Sequence, residues 1–183
     1  MKKRLVLLSL VLMPFIAVMY NYFIQHEQSN EIQVSFDSFT PSVQKQVRCL
    51  AENIYYESAY EPDVGKVAVA FVTLNRTKSS SFPSSICDVV TQKTHTTCQF
   101  SWYCQEKQKQ MFLSNALHEK RDNVYENILS IASFVYVNYE RISDPTNGAL
   151  FYHADYVNPR WKNVEHTTTI GRHIFYIKKD KEI

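Results

Sequence analysis

Net charge is what this sequence has least of: 20 Lys and Arg stand against 18 Asp and Glu, a formal +2, with the basic residues scattered among the acids. No basic stripe exists to follow a phosphate backbone, which excludes nucleic acid as an expected partner. Internal repeats and low-complexity tracts are missing too, so 183 residues are expected to make one compact, monomeric unit with accessories. The six histidines (His26, His95, His118, His153, His166 and His173) contain no H-x-H and no H-E-x-x-H. The two closest cysteines, Cys98 and Cys104, are not in a C-x-x-C arrangement. Neither a metal nor a cofactor is therefore expected. A serine nucleophile has no G-x-S-x-G element, and a thiol nucleophile would need one of the cysteines to be free.

What is present begins with a compositional break. Lys2, Lys3 and Arg4 precede an uncharged run from Leu5 to Phe23, which as a helix rising 1.5 Å per residue nearly spans a hydrocarbon core of roughly 30 Å. The run is longer than a signal peptide's apolar region, and Val18, Met19 and Tyr20 follow Ala17 where a small-x-small cleavage site would stand. Residues 1–23 are expected to be a signal anchor, with a cleaved signal peptide as the alternative. Residues 24–39 are expected to be a tether, and 40–183 the folded domain outside the inner membrane. Cys49, Cys87, Cys98 and Cys104 all lie in that domain, an even number suited to an oxidising compartment. The short spacing of Cys98 and Cys104 favours a local disulfide and leaves Cys49 to meet Cys87, unless Cys49 is an ordinary buried thiol.

Periodicity outlines the fold. Thr40 and Pro41 open a helix that runs to about Ala59, with Val43, Val47, Leu50 and Ile54 on one face. A second, centrally buried helix follows Pro62 and Asp63 and ends near Lys78; a short one should span 85–90, and 91–109 reads as a cysteine-pinned loop. A third long helix is expected over 124–139. Short β-prone runs follow at 149–153, 167–170 and 173–177, the last two joined at Gly171 and Arg172. The expected fold class is α+β, a mainly helical, lysozyme-like lobe with a small antiparallel β-sheet near the C-terminus.

Glu57 stands out because it continues the stripe Val47, Leu50, Ile54 toward the core, whereas Glu52 lies off it and is expected to be solvated. A half-buried carboxyl tends to hold its proton, as a general acid near neutral pH must. The alternative is a helix-end Glu that reaches water or pairs with Lys66 or Arg76. Aromatics are plentiful, with 12 Tyr, 11 Phe and 2 Trp; most such rings fill cores, though some can present a face to a sugar.

These residues are also what make the chain resemble the SleB/CwlJ cell wall hydrolase family of spore-cortex-lytic enzymes. The similarity begins with Leu50-Ala51-Glu52-Asn53-Ile54-Tyr55-Tyr56-Glu57, Glu61-Pro62, Gly65-Lys66-Val67-Ala68-Val69-Ala70 and Leu74-Asn75-Arg76. It continues through Phe82-Pro83, Ile86-Cys87-Asp88-Val89-Val90 and Cys98-Gln99-Phe100-Ser101-Trp102. It ends with Gly148-Ala149-Leu150-Phe151-Tyr152-His153, Pro159-Arg160-Trp161 and Ile170-Gly171-Arg172-His173-Ile174-Phe175-Tyr176. One departure is Ser58, Ala59 and Tyr60, where the family carries Ala-Arg-Gly.

The resemblance implies cleavage of peptidoglycan glycan strands with Glu57 as acid/base, by a lytic transglycosylase reaction in characterised relatives. A hydrolytic muramidase or glucosaminidase using the same Glu57, and a non-catalytic peptidoglycan-binding envelope protein, are the alternatives. Most glycosidases need a second carboxylate, for which Glu61, Asp63, Asp144 and Asp155 are available; a transglycosylase needs none. Asn75, Gln99 and Ser101 are candidate hydrogen-bonding residues for Glu57 or for acetamido groups. Phe100, Trp102, Tyr152 and Trp161 are candidate stacking walls, and His153 joins them as a candidate substrate-binding residue.

Overall fold

Residues 34–114 and 123–179 are described by a computed structural model, and they fall in one compact unit that starts at Val34. The expected anchor, residues 1–23, and most of the expected tether lie outside the described residues. Among the described residues no helix is long and apolar enough to cross a membrane. The end of the tether segment belongs to the domain: Phe36 is buried in a 3-10 turn, and Phe39 sets its ring edge on Tyr136.

Five helices are described: α1 Pro41–Ser58, α2 Asp63–Lys78, α3 Ile86–Thr91, α4 Glu106–Leu113 and α5 Asn123–Asn138. Pro41 stands at the start of α1, where its missing N–H costs nothing, while the Thr40 side chain makes no cap bond. Val47, Leu50 and Ile54 of α1 pack with Val69 and Phe71 of α2, Val89 and Val90 of α3, and Ile128, Leu129 and Val135 of α5. Each such side chain contributes roughly 1.5–3 kcal/mol by leaving water, so α1 is fixed on more than one side.

The span 91–109 is not a plain loop. Lys93 bridges to Cys98, Ser101–Cys104 form a 3-10 turn, and α4 follows with no fully buried residue. A short helix without a buried face has no apolar period, so nothing in the sequence announced it.

Strands β1 Phe151–Ala154, β2 Val164–Ile170 and β3 His173–Lys178 form an antiparallel sheet in the order β1-β3-β2. An irregularity between His166 and Thr168 breaks the alternation of β2, which hid its first residues from a period-two reading. The sheet docks on α2, where Ala68 and Val72 meet Ala149 and Phe175. Gly171 turns the β2–β3 hairpin at φ +56°, and a Cβ there would collide with the Glu61 carboxylate, which accepts the Arg172 N–H at 3.3 Å.

Both disulfides form as the cysteine spacing led one to expect. Cys49 joins Cys87 with Cα atoms 5.2 Å apart, and Cys98 joins Cys104 at 5.7 Å. The sequence separations are 38 and 6, for which chain-entropy reasoning assigns about 4 and about 2 kcal/mol respectively. The first ties α1 to α3, so it protects the helix that carries Glu57.

Candidate active site

Glu57 lies in the last turn of α1 and is half-buried. Burial is the largest influence on its carboxyl and raises its pKa above the ordinary carboxylate range; the Tyr152 hydroxyl and the Arg76 charge act in the opposite direction. Tyr152 comes from β1 and Arg76 from the last turn of α2. Three elements therefore meet at one carboxyl.

Arg76 is held from three sides. Its Nε donates to the Leu150 carbonyl at 2.8 Å, and its guanidinium carbon lies 5.1 Å from the Phe82 ring centroid and 4.9 Å from that of Phe100. Burial lowers its pKa, while Tyr152 and Glu57 raise it; an arginine so placed keeps its charge. Its Nη1 is buried without a hydrogen-bond partner. The Tyr152 hydroxyl is buried too and makes no hydrogen bond of ordinary geometry, with Glu57 as the acceptor it lies against. Burial pushes the Tyr152 pKa well up, so it stays a neutral phenol. The arrangement offers a carboxyl that favours its proton, beside a cation and a donor that steady the carboxylate once the proton has left.

The other candidate residues divide by position. Phe100 is buried beneath Arg76 and shapes the site from behind. Trp102 is only 4% exposed, stacks on Tyr56 at 4.5 Å between centroids and donates its Nε1 to Asn53 at 3.0 Å. It is a core residue. Asn75 has both ends engaged: its Nδ2 donates to Asp144 and to the Ala149 carbonyl, and its Oδ1 accepts from Tyr139 at 2.6 Å. Gln99, on the loop before the 3-10 turn, and Ser101, its first residue, are exposed.

Strand alternation separates the remaining candidates. Tyr152 shares the α2-facing side of the sheet with Phe175 and His173, whereas His153 and Trp161 lie on the opposite side. There His153 stacks on Tyr176 at 5.3 Å and Trp161 sets its edge against both rings. The sheet thus stands between them and Tyr152.

The four possible second carboxylates are all engaged. Asp144 accepts from Thr146, Gly148 and Asn75; Asp63 pairs with Lys66 at 2.9 Å; Asp155 pairs with Arg172 at 3.2 Å; and Glu61 holds the hairpin turn. Among the described residues no group of His, Cys, Asp and Glu is placed to hold a metal. Tyr60, which replaces the family's glycine, is 96% exposed and its φ is not positive, so the substitution brings no backbone strain.

Two residues escaped the sequence reading. Arg76 follows Val69 and Thr73 at spacings of 4 and 3, the same pattern that singled out Glu57 on α1. That spacing puts Arg76 on the buried face of α2. Glu52 is a correction: it is 0% exposed, not solvated. Burial raises its carboxyl to about 8, with the Tyr125 hydroxyl and Arg48 opposing the rise. α5 covers the flank of α1 that a single apolar stripe would leave to water, so Cys49 through Asn53 are buried in succession.

The Cell Wall Hydrolase family profile matches residues 60–176. It begins three residues after Glu57, so the role of Glu57 rests on the local geometry and on the resemblance of its own segment. Among solved structures, the catalytic domain of the germination-specific lytic transglycosylase SleB from Bacillus anthracis superposes with a TM-score of 0.53 at 26% identity, covering 75% of this chain and 96% of that one. The catalytic domain of the Bacillus cereus SleB protein gives 0.51 at 26% identity, covering 80% and 97%. A spore cortex-lytic enzyme of Bacillus cereus is 45% identical over 47 residues, which are 26% of this chain but only 18% of that protein. With the profile spanning more than half of the sequence and the fold matching along nearly the whole of both catalytic domains, the chain belongs to the Cell Wall Hydrolase family.

Proposed function

We propose that the protein cleaves the glycan strands of peptidoglycan by the lytic transglycosylase route, with Glu57 as the only acid/base. The observation that supports this best is the single carboxyl, proton-favouring through burial, set against Arg76 and Tyr152. Protonated Glu57 gives its proton to the glycosidic oxygen as the bond to the muramyl C1 breaks. The resulting carboxylate then takes the proton of the muramyl C6 hydroxyl, whose oxygen closes on C1. One proton is given, one is recovered, and no water is consumed. Arg76 and Tyr152 hold the carboxylate between the two transfers, so burial does not prevent the first. The lack of an uncommitted second carboxylate among the four candidates favours this route over a two-carboxylate hydrolase.

Digestion of purified sacculi should release fragments with 1,6-anhydromuramyl ends, read by mass spectrometry, at a rate that chelators do not change. Reducing ends in their place would transfer the attack to water and leave Glu57 as the acid. Fragments cut in the peptide stems would end the glycan-strand reading.

Two disulfides and the family suit an extracytoplasmic setting. We further propose that residues 1–23 anchor the chain in the inner membrane. Fractionated cells should then carry it in that membrane at full mass, with the domain open to protease from outside. A soluble form beginning near residue 20 would overturn the anchor.

A further inference from the structure

A cavity of about 360 Å³ opens beside the site, between the outer side of the sheet and the loop that precedes the 3-10 turn. It adjoins Arg76 through two of its lining residues. The Phe82 ring in its wall touches both Arg76 and Phe151, and the carbonyl of Leu150, also in the wall, accepts the Arg76 Nε–H at 2.8 Å. The floor is apolar and the rim is cationic: Lys162 and Lys178 line it, both exposed and neither in an ion pair among the described residues. No acid lines the cavity. Gln92 adds a side-chain amide whose oxygen is buried without a partner. The amide nitrogen of this side chain is a donor for an incoming acceptor.

Two unpaired ammonium groups, an unsatisfied amide and an apolar floor fit a flexible ligand that carries carboxylates on a short aliphatic frame. Resting on the glycan-strand reading above, we propose that this cavity receives the carboxylates of the peptide stem attached to the muramyl residue. The stem leaves the strand from the same sugar whose C1 is attacked, so a pocket walled by Phe82 and Leu150, both of which hold Arg76, lies where a stem would pass. Cleavage would then be biased toward muramyl residues with intact stems.

Binding is measured with the full chain carrying Glu57→Gln, using a purified disaccharide with its stem, the same disaccharide freed of its stem by an amidase, and the stem peptide alone. The stem should tighten binding by tenfold or more, and that gain should shrink as salt rises. The stem peptide alone should bind weakly. Adding Lys162→Gln and Lys178→Gln should remove the gain at unchanged denaturation midpoint. Equal affinity for the two disaccharides, or a gain that survives both lysine substitutions, would overturn the proposal. A wild-type chain that digests sacculi without stem preference defeats only this inference; one that binds stems but cuts no strand defeats the glycan-strand reading instead.

Discussion

Glu57→Gln is expected to give a folded protein that no longer digests sacculi. Gln keeps the shape and a hydrogen-bonding oxygen for Tyr152 and Arg76, but it neither gives nor takes a proton. General acid/base groups contribute roughly 10²–10⁴-fold, and a residue performing both transfers should stand at the upper end of that range or beyond. Stability should move the other way. An acid whose pKa burial raises is held protonated in the folded state while the unfolded chain ionises, so near neutral pH it subtracts from stability. Gln removes that penalty. The variant should therefore unfold at equal or higher denaturant concentration than wild type at pH 7, which separates lost chemistry from lost structure. The wild-type rate should decline on the alkaline side as Glu57 loses its proton. A Glu57→Gln protein that digests sacculi at a near wild-type rate would refute the assignment.

A larger effect on stability is expected from Glu52→Gln, and it should depend on pH. Burial raises the Glu52 carboxyl from its ordinary 4.5 to about 8. Between those values the folded state binds the proton that the unfolded state releases, so stability falls as pH rises through the window and levels off above it. At 1.36 kcal/mol per tenfold, the ionised form carries a penalty on the order of 5 kcal/mol at the alkaline end. Glu52→Gln should flatten this dependence, leaving the variant near wild type at pH 4 and progressively more stable than wild type up to pH 9. Urea denaturation at several pH values reads the difference directly. A constant offset between the two proteins across that range would mean that Glu52 titrates normally and that its burial is not felt.

The long helices were legible because each buries a stripe at helical spacing, and the hairpin because Gly171 supplies the φ its turn requires. The disulfides followed from count and spacing. Glu57 was legible as a carboxylate continuing an apolar stripe, and Arg76 carried the same signal. The burial of Glu52 was not legible because one stripe describes one face, while α1 is enclosed by α5 as well as by α2 and α3. α4 and the start of β2 were illegible because one buries no face and the other has an interrupted period.

What the sequence determined by itself is therefore local and periodic: which segments coil, which residue types stand at their ends, which cysteines are near enough to join, and which charge points inward. Only the tertiary structure decided which inward groups meet. Arg76 and Glu57 are 19 positions apart and Tyr152 lies another 76 beyond Arg76, yet docking the sheet on α2 brings all three together. The same docking placed His153 and Trp161 behind the sheet and Trp102 in the core. Burial, and with it the proton affinity of Glu52 and Glu57, is a property of everything packed around a residue, and no single element's period contains it.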